Sequence, residues 1–165
     1  MKIFVKLFYF FPLSLLSVVS ANAANVTVMV IETGLSVDQK VSLAEIWESG
    51  IMAVLFDAGH IVTNAQSIKI VRNIDEDIPE EVETNIKGAF DGGSDYFLMA
   101  LLNYNESNDD KNTKPVQITL KLIILPNKIL YQENMPKPVA ATQRDEFINA
   151  QKAARIIMPY IGGKA

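Results

Sequence analysis

The chain has 165 residues, a formal net charge of −4 and no cysteine. Without cysteine, the chain has no disulfides, no thiolate metal sites and no lipid-anchoring cysteine of the bacterial lipoprotein type. An acidic balance without a Lys/Arg cluster argues against nucleic-acid binding and against tight binding to anionic lipid heads. The charge does not argue against protein partners or glycan partners.

The first 23 residues have the three parts of an export signal in order. Two lysines give a short positive region, residues 7–20 form an apolar run too short for a comfortable membrane span, and residues 21–23 read Ala-Asn-Ala, an A-x-A cleavage site. We therefore predict that residues 1–23 are a signal peptide. The mature protein would begin at Ala24, be periplasmic or secreted, and have no stable membrane span. An uncleaved amino-terminal anchor is the alternative.

The mature chain is expected to open with a strand and a long helix. Asn25–Thr33 is rich in β-branched residues and nearly apolar on both faces, which predicts a central strand covered on two sides. Ser36 and Gln39 then have capping-box spacing, so the helix is expected to begin at about Val37. This helix should contribute much of the core.

The apolar side chains of this helix recur at steps of three and four residues, which predicts one buried stripe. Its members are Val37, Val41, Ala44, Trp47, Ile51, Val54, Leu55 and Ala58. Gly50 costs about 1 kcal/mol relative to alanine inside a helix, and therefore suggests close backbone packing. Gly59 suits the helix end, because glycine takes positive φ without a Cβ clash.

Two extended segments and a second helix should follow. β-branched residues predict a strand around 61–63 and another extended piece around 67–71. Residues 80–90 predict a helix that presents Val82, Ile86, Ala89 and Phe90 to the core. The acidic residues between 75 and 81 are interpreted as helix-start chemistry rather than a calcium site, because they lack the ligand spacing of an EF-hand.

A turn, a strand and a hairpin come next. Residues 91–95, Asp-Gly-Gly-Ser-Asp, lack the Gly-Lys-Ser/Thr of a phosphate loop and are interpreted as a helix-to-strand turn. The apolar run 96–104 predicts a strand. Alternation over residues 116–124 and the Pro-Asn-Lys turn at 126–128 predict an antiparallel hairpin.

The last helix completes the predicted fold. Thr142 with Asp145 three residues later resembles a capping box, so a helix should begin there. No internal repeat or long linker interrupts residues 24–165, which predicts one domain. The whole pattern, β-α-β-α-β-β-β-α, predicts an α/β (α+β) fold in which a single mixed sheet of about four to five strands packs with three helices.

Three motifs carry a resemblance to a known family. They are Gly59-His60-Ile61-Val62 after the first helix, Ser94-Asp95-Tyr96-Phe97 after the second, and the hairpin over residues 116–130. Together they resemble small α/β domains of the bacterial envelope: the curli-secretion lipoprotein, the lipoprotein activators of penicillin-binding proteins, and the amino-terminal domain of the Tol propeller protein. The amino-acid sequence of residues 47–62 also resembles that of uncharacterised exported proteins of spirochaetes. The resemblance implies a domain that recruits or assembles partners.

His60, the single histidine, is the main candidate for chemistry. With Asp57 or Glu48 it would serve a small periplasmic hydrolase or ligand-binding protein, which is the alternative function. A histidine just past a helix end is also stabilised by the helix dipole, and this structural role is favoured. Because no nucleophile, zinc or nucleotide motif occurs, we predict no enzyme activity, no cofactor and no metal.

The sequence thus favours a non-catalytic exported binding or assembly-accessory protein of the cell envelope, with an envelope protein as its partner. The edge of the hairpin, around residues 119–132, offers backbone groups for strand addition. The polar loop before the hairpin is the candidate partner-binding segment. Its residues are Ser107, Asn108, Asp109, Asp110, Lys111 and Asn112.

Overall fold

A mixed β-sheet forms the centre of the molecule in the computed structural model, which describes residues 23–34, 42–70, 79–104, 115–136 and 139–162. The strands are β1 Asn25–Thr33, β2 Ile61–Asn64, β3 Ile68–Ile70, β4 Tyr96–Tyr104, β5 Pro115–Ile124 and β6 Lys128–Pro136. The helices are α1 Ala44–Asp57, α2 Glu80–Asp91 and α3 Gln143–Ile157, and a 3-10 turn at Met158–Tyr160 follows α3. The predicted α/β (α+β) class is confirmed.

The sheet has six strands within the described residues, slightly more than the four to five predicted. Its order is β2-β1-β4-β5-β6, and β3 pairs with β1 beside β2. The extra strand arises because β2 pairs with the first half of β1, from Asn25 to Val28, and β3 with the second half, from Ile31 to Thr33. β1 is parallel to β2, β3 and β4, whereas β5 and β6 form an antiparallel hairpin on the other side of β4.

The two faces of the sheet are covered unequally. Side chains alternate between the faces along each strand. On one face α1 and α3 pack together over the larger core, in which Trp47, Ile51 and Leu55 are fully buried. On the opposite face α2 packs on a smaller cluster around Met29 and Phe97. This second face is therefore the less protected one.

The start of α1 differs from the sequence prediction. The helix begins at Ala44 rather than at about Val37, and the predicted capping pair Ser36 and Gln39 lies outside the described residues. The cap comes from the preceding strand instead. Glu32 of β1 accepts a hydrogen bond from the backbone N–H of Leu43 at 2.8 Å and another from the Ser42 hydroxyl at 2.8 Å. A carboxylate there also suits the positive end of the helix dipole.

The remaining elements follow the predicted pattern closely. β1 has the predicted bounds, α2 extends one residue beyond its predicted end, and α3 begins with a capping box between Thr142 and Asp145. The close packing expected at Gly50 is also present, because an added Cβ would lie 2.7 Å from Ala150 Cβ on α3. No helix in the described part of the chain is long and apolar enough to cross a membrane.

Candidate functional site

The structure gives His60 a structural contact. Its Nδ1 accepts a hydrogen bond from the backbone N–H of Ala24 at 3.3 Å, which ties the end of α1 to the start of β1. Glu48 accepts a hydrogen bond from the Asn64 amide at 2.9 Å. No hydrogen bond or ion pair joins His60 to Glu48 or to Asp57, all of which are described. The predicted histidine–carboxylate pairs are therefore not formed in this structure.

Burial shifts the pKa values of His60 and Glu48 in opposite directions. Desolvation lowers the pKa of His60 below 6.5. Desolvation also raises the pKa of Glu48, although the hydrogen bond from Asn64 opposes that shift. Within the described residues, no group of three or more His, Asp or Glu side chains is arranged to hold a metal ion.

The Gly-Gly-Ser-Asp segment is a helix-to-strand turn, as predicted. Gly93 has φ +82°, and Asp95 accepts a hydrogen bond from the backbone N–H of Asn25 at 2.8 Å. The Ser94 hydroxyl lies 2.7 Å from the Thr27 hydroxyl. These polar side chains therefore join β4 to β1 at the edge where both strands begin.

Two buried carboxylates were not among the predicted site residues. Glu32, fully buried, accepts hydrogen bonds from Leu43, Ser42 and the Tyr104 hydroxyl, the last at 2.9 Å. Glu146, also buried, accepts one from the indole N–H of Trp47 at 3.1 Å. For Glu32, the feature of the sequence that could have indicated a buried carboxylate was a single acidic residue in the apolar run of β1. Each carboxylate accepts a hydrogen bond from a buried group of another helix or strand, so both serve the core.

An open apolar cleft lies between α2 and the β5–β6 hairpin, with a volume of about 330 Å³. From α2 it is lined by Glu83, Ile86, Lys87 and Phe90, which recur at helical spacing on one face. Phe90 was predicted to be a core residue, but it is 48% exposed. The prediction was wrong for Phe90 because helical periodicity identifies a face and not how far the sheet beneath it is covered.

The hairpin forms the opposite wall of the cleft. Its lining residues are Lys121, Ile123, Pro126, Asn127 and Ile129. Ile129 of β6 is 51% exposed, whereas Ile123 of β5 is buried. The cleft therefore has an apolar floor and apolar walls open to solvent, and two lysines, Lys87 and Lys121, are among its lining residues.

Beside the cleft, β6 is an edge strand. It pairs with β5 on one side and with no described strand on the other. All nine of its residues are exposed or half-buried, and Gln132 and Asn134 are exposed. The predicted docking edge is thus narrowed to Lys128–Pro136, because Thr119 lies on β5, between β4 and β6.

The predicted partner-binding segment, residues 107–112, lies outside the described residues and stays a prediction. It belongs to the connection between β4 and β5.

Comparisons with known proteins give structural neighbours only. No protein-family model matches the chain, and no curated protein matches it. A PelC dodecamer from Paraburkholderia phytofirmans matches with a TM-score of 0.43 and 14% identity over 86% of this chain and 90% of that one. The competence/damage inducible protein CihA from Agrobacterium tumefaciens matches with a TM-score of 0.41 and 8% identity over 81% and 84%. A CinA superfamily protein from Klebsiella pneumoniae has a TM-score of 0.41 and 9% identity over 85% and 90%.

These findings overturn the resemblance predicted from the sequence motifs. The structures reported above are PelC and competence-damage proteins, not the curli-secretion lipoprotein, the penicillin-binding-protein activators or the Tol propeller domain. The motifs misled because they are turn and core residues. In this structure Gly59 has positive φ, and Asp95 accepts a hydrogen bond from the backbone at the start of β1, which are roles that many α/β folds require.

Proposed function

We propose that this chain is a non-catalytic exported binding or assembly-accessory protein of the cell envelope, which docks another envelope protein along β6. The observation that carries the proposal is the outer side of β6, the edge strand beside the open cleft, which pairs with no strand among the described residues. An exposed edge strand offers unpaired N–H and C=O groups to an incoming strand, and neighbouring pockets select its side chains.

Two features of β6 favour a controlled partner over indiscriminate pairing. The pairing register of β5 and β6 shifts between Leu122 and Ile123, so a bulge interrupts the strand, and Pro136 ends it. Bulges and proline limit edge-to-edge aggregation. The stretch left for strand addition is therefore short.

The alternative of a hydrolase or ligand-binding site at His60 has less support. His60 Nδ1 is already engaged with the Ala24 backbone, and neither Asp57 nor Glu48 is hydrogen-bonded to the imidazole. A proton-transfer pair requires hydrogen-bond reach between its members. A turnover that disappears in His60→Ala would nevertheless establish that alternative.

Site-specific photo-crosslinking in living cells tests the proposal. A photoreactive residue at Gln132, exposed on β6, should trap one envelope protein. The same residue at Arg155, exposed on α3, serves as the matched control and should not trap that protein. The crosslinked species should lack residues 1–23 and begin at Ala24. Equal crosslinking from both positions, or a chain that retains Met1 in the cytoplasm, would contradict the proposal.

A further inference from the structure

We propose that the cleft between α2 and the hairpin binds a small anionic amphiphile, namely a linear alkyl chain that ends in one carboxylate. This ligand site goes beyond the protein docking proposed for β6. At about 330 Å³, the cleft lies at the lower end of the range for small-molecule pockets. It therefore suits a ligand of about that size more than a folded partner.

The walls of the cleft account for the alkyl chain. Phe90 and Ile129 stand on opposite walls, and each leaves about half of its surface in water, 48% and 51% respectively. Ile86 and Ile123 continue the apolar lining between them. Covering such surface is favourable in proportion to the apolar area removed from water. An unbranched chain fills a narrow cleft of this kind without polar groups along its length.

Two lysines that line the cleft would bind the carboxylate of the proposed ligand. Lys87 is exposed and Lys121 is half-buried, and neither forms an ion pair with another described residue. Glu83 is the single acidic residue among the described lining residues, so these residues carry a net positive charge within a chain whose formal net charge is −4. This local reversal of charge favours an anionic head group over a neutral or cationic one.

The position of the lysines fits one orientation of the ligand. Lys87 lies one residue from Ile86 and three from Phe90 along α2, and Lys121 lies two residues from Ile123 on the same face of β5. Pro126 lies in the turn of the hairpin and Ile129 pairs with Ile123, so both lie closer to the turn than Lys121, which pairs with Gln132. The carboxylate would therefore lie near Lys121 and the end of the alkyl chain near Ile129.

A series of three probes with the same alkyl chain tests the inference on the protein purified from cells that express the whole chain. The probes are decanoate and decyltrimethylammonium, each used below its micelle concentration, and decan-1-ol, used below its solubility limit. Titration calorimetry and backbone NMR should show saturable binding of decanoate, with shifts confined to α2 and the hairpin, and weakening with added salt. Equal binding of all three probes, or no binding of decanoate, would overturn the inference.

Matched variants separate the head-group contact from the apolar contact. The double variant Lys87→Gln/Lys121→Gln should weaken decanoate binding about tenfold and leave decan-1-ol unaffected. Lys152→Gln removes an exposed lysine from α3, on the opposite face, and should change neither. Ile129→Glu places a carboxylate at an exposed position in the cleft and should abolish binding of decanoate. Unchanged binding in the double variant would refute the assigned head-group site.

The two proposals fail separately. Loss of decanoate binding with intact crosslinking at Gln132 would reject the ligand site alone. Decanoate binding without a crosslinked partner would reject the docking function alone.

Discussion

At the scale of single residues, Glu32 joins three parts of the fold. It lies on β1, caps α1 through Leu43, and accepts the Tyr104 hydroxyl from β4. Tyr104 is buried, and its pKa is raised, first by desolvation and then by the nearby Glu32 carboxylate. The tyrosine therefore remains a neutral hydrogen-bond donor well into the alkaline range.

Tyr104→Phe should destabilise the protein by about 1–3 kcal/mol, because it leaves a buried carboxylate oxygen with one donor fewer. Urea unfolding measures this loss. Tyr160→Phe is the control, since Tyr160 is exposed, and should stay within about 0.5 kcal/mol of wild type. The wild-type advantage should be complete below the unfolded-state pKa of about 10 and shrink as pH rises above it, because the folded pKa is raised. A constant difference would contradict this account.

His60 should show the opposite pH dependence. Burial lowers its folded pKa below 6.5, so protonation favours the unfolded chain. Stability should be complete above about pH 6.5 and fall as pH drops below that value. If the proposed signal cleavage before Ala24 takes place, the Ala24 nitrogen is an α-amino group beside Nδ1, and its positive charge would lower the imidazole pKa further. An NMR titration midpoint of His60 at or above 6.5 would contradict the contact.

At the scale of elements, the packing of α1 against α3 depends on Gly50. A Cβ there would lie 2.7 Å from Ala150 Cβ and 2.8 Å from the Phe147 carbonyl oxygen. Gly50→Ala should destabilise the protein despite the gain in helix propensity of about 1 kcal/mol. In Gly88→Ala, on α2, the new Cβ meets nothing within 4 Å, so this variant should be more stable by about 0.5–1 kcal/mol. Thermal melts of the two variants measure these changes in stability. A change of the same sign in both variants would contradict the close packing of α1 against α3.

Local patterns in the sequence predicted most elements correctly, because their causes are local. The Thr142–Asp145 capping box and the β-branched run of β1 both depend on neighbouring residues alone. The start of α1 was missed because its cap comes from Glu32, eleven residues before Leu43. The cleft was missed because it depends on where α2 lies over the sheet, which helical periodicity does not specify.

At the scale of the whole molecule, α2 is held less firmly than the other helices. Of its side chains only Val82 is buried, whereas α1 has five buried residues and α3 has six. Helices with few buried contacts open locally at lower free energy than the core. The helix that forms one wall of the cleft is thus the first that we expect to detach.

Native-state hydrogen exchange measures this opening directly. Amides of α2 should exchange about tenfold faster than those of α1, which corresponds to an opening free energy about 1.4 kcal/mol lower. Equal protection of both helices would contradict the ranking.

Because the cleft exists only while α2 is docked on the sheet, the binding-competent state and the local unfolding of α2 exclude one another. The cleft therefore forms when α2 docks on the sheet and is lost when α2 unfolds locally, while α1, α3 and most of the sheet stay folded. A ligand in the cleft selects the closed form, so decanoate at about ten times its Kd should slow α2 exchange about tenfold and leave α1 unchanged. Ligand binding would therefore be detected as protection of α2 against hydrogen exchange and proteolysis.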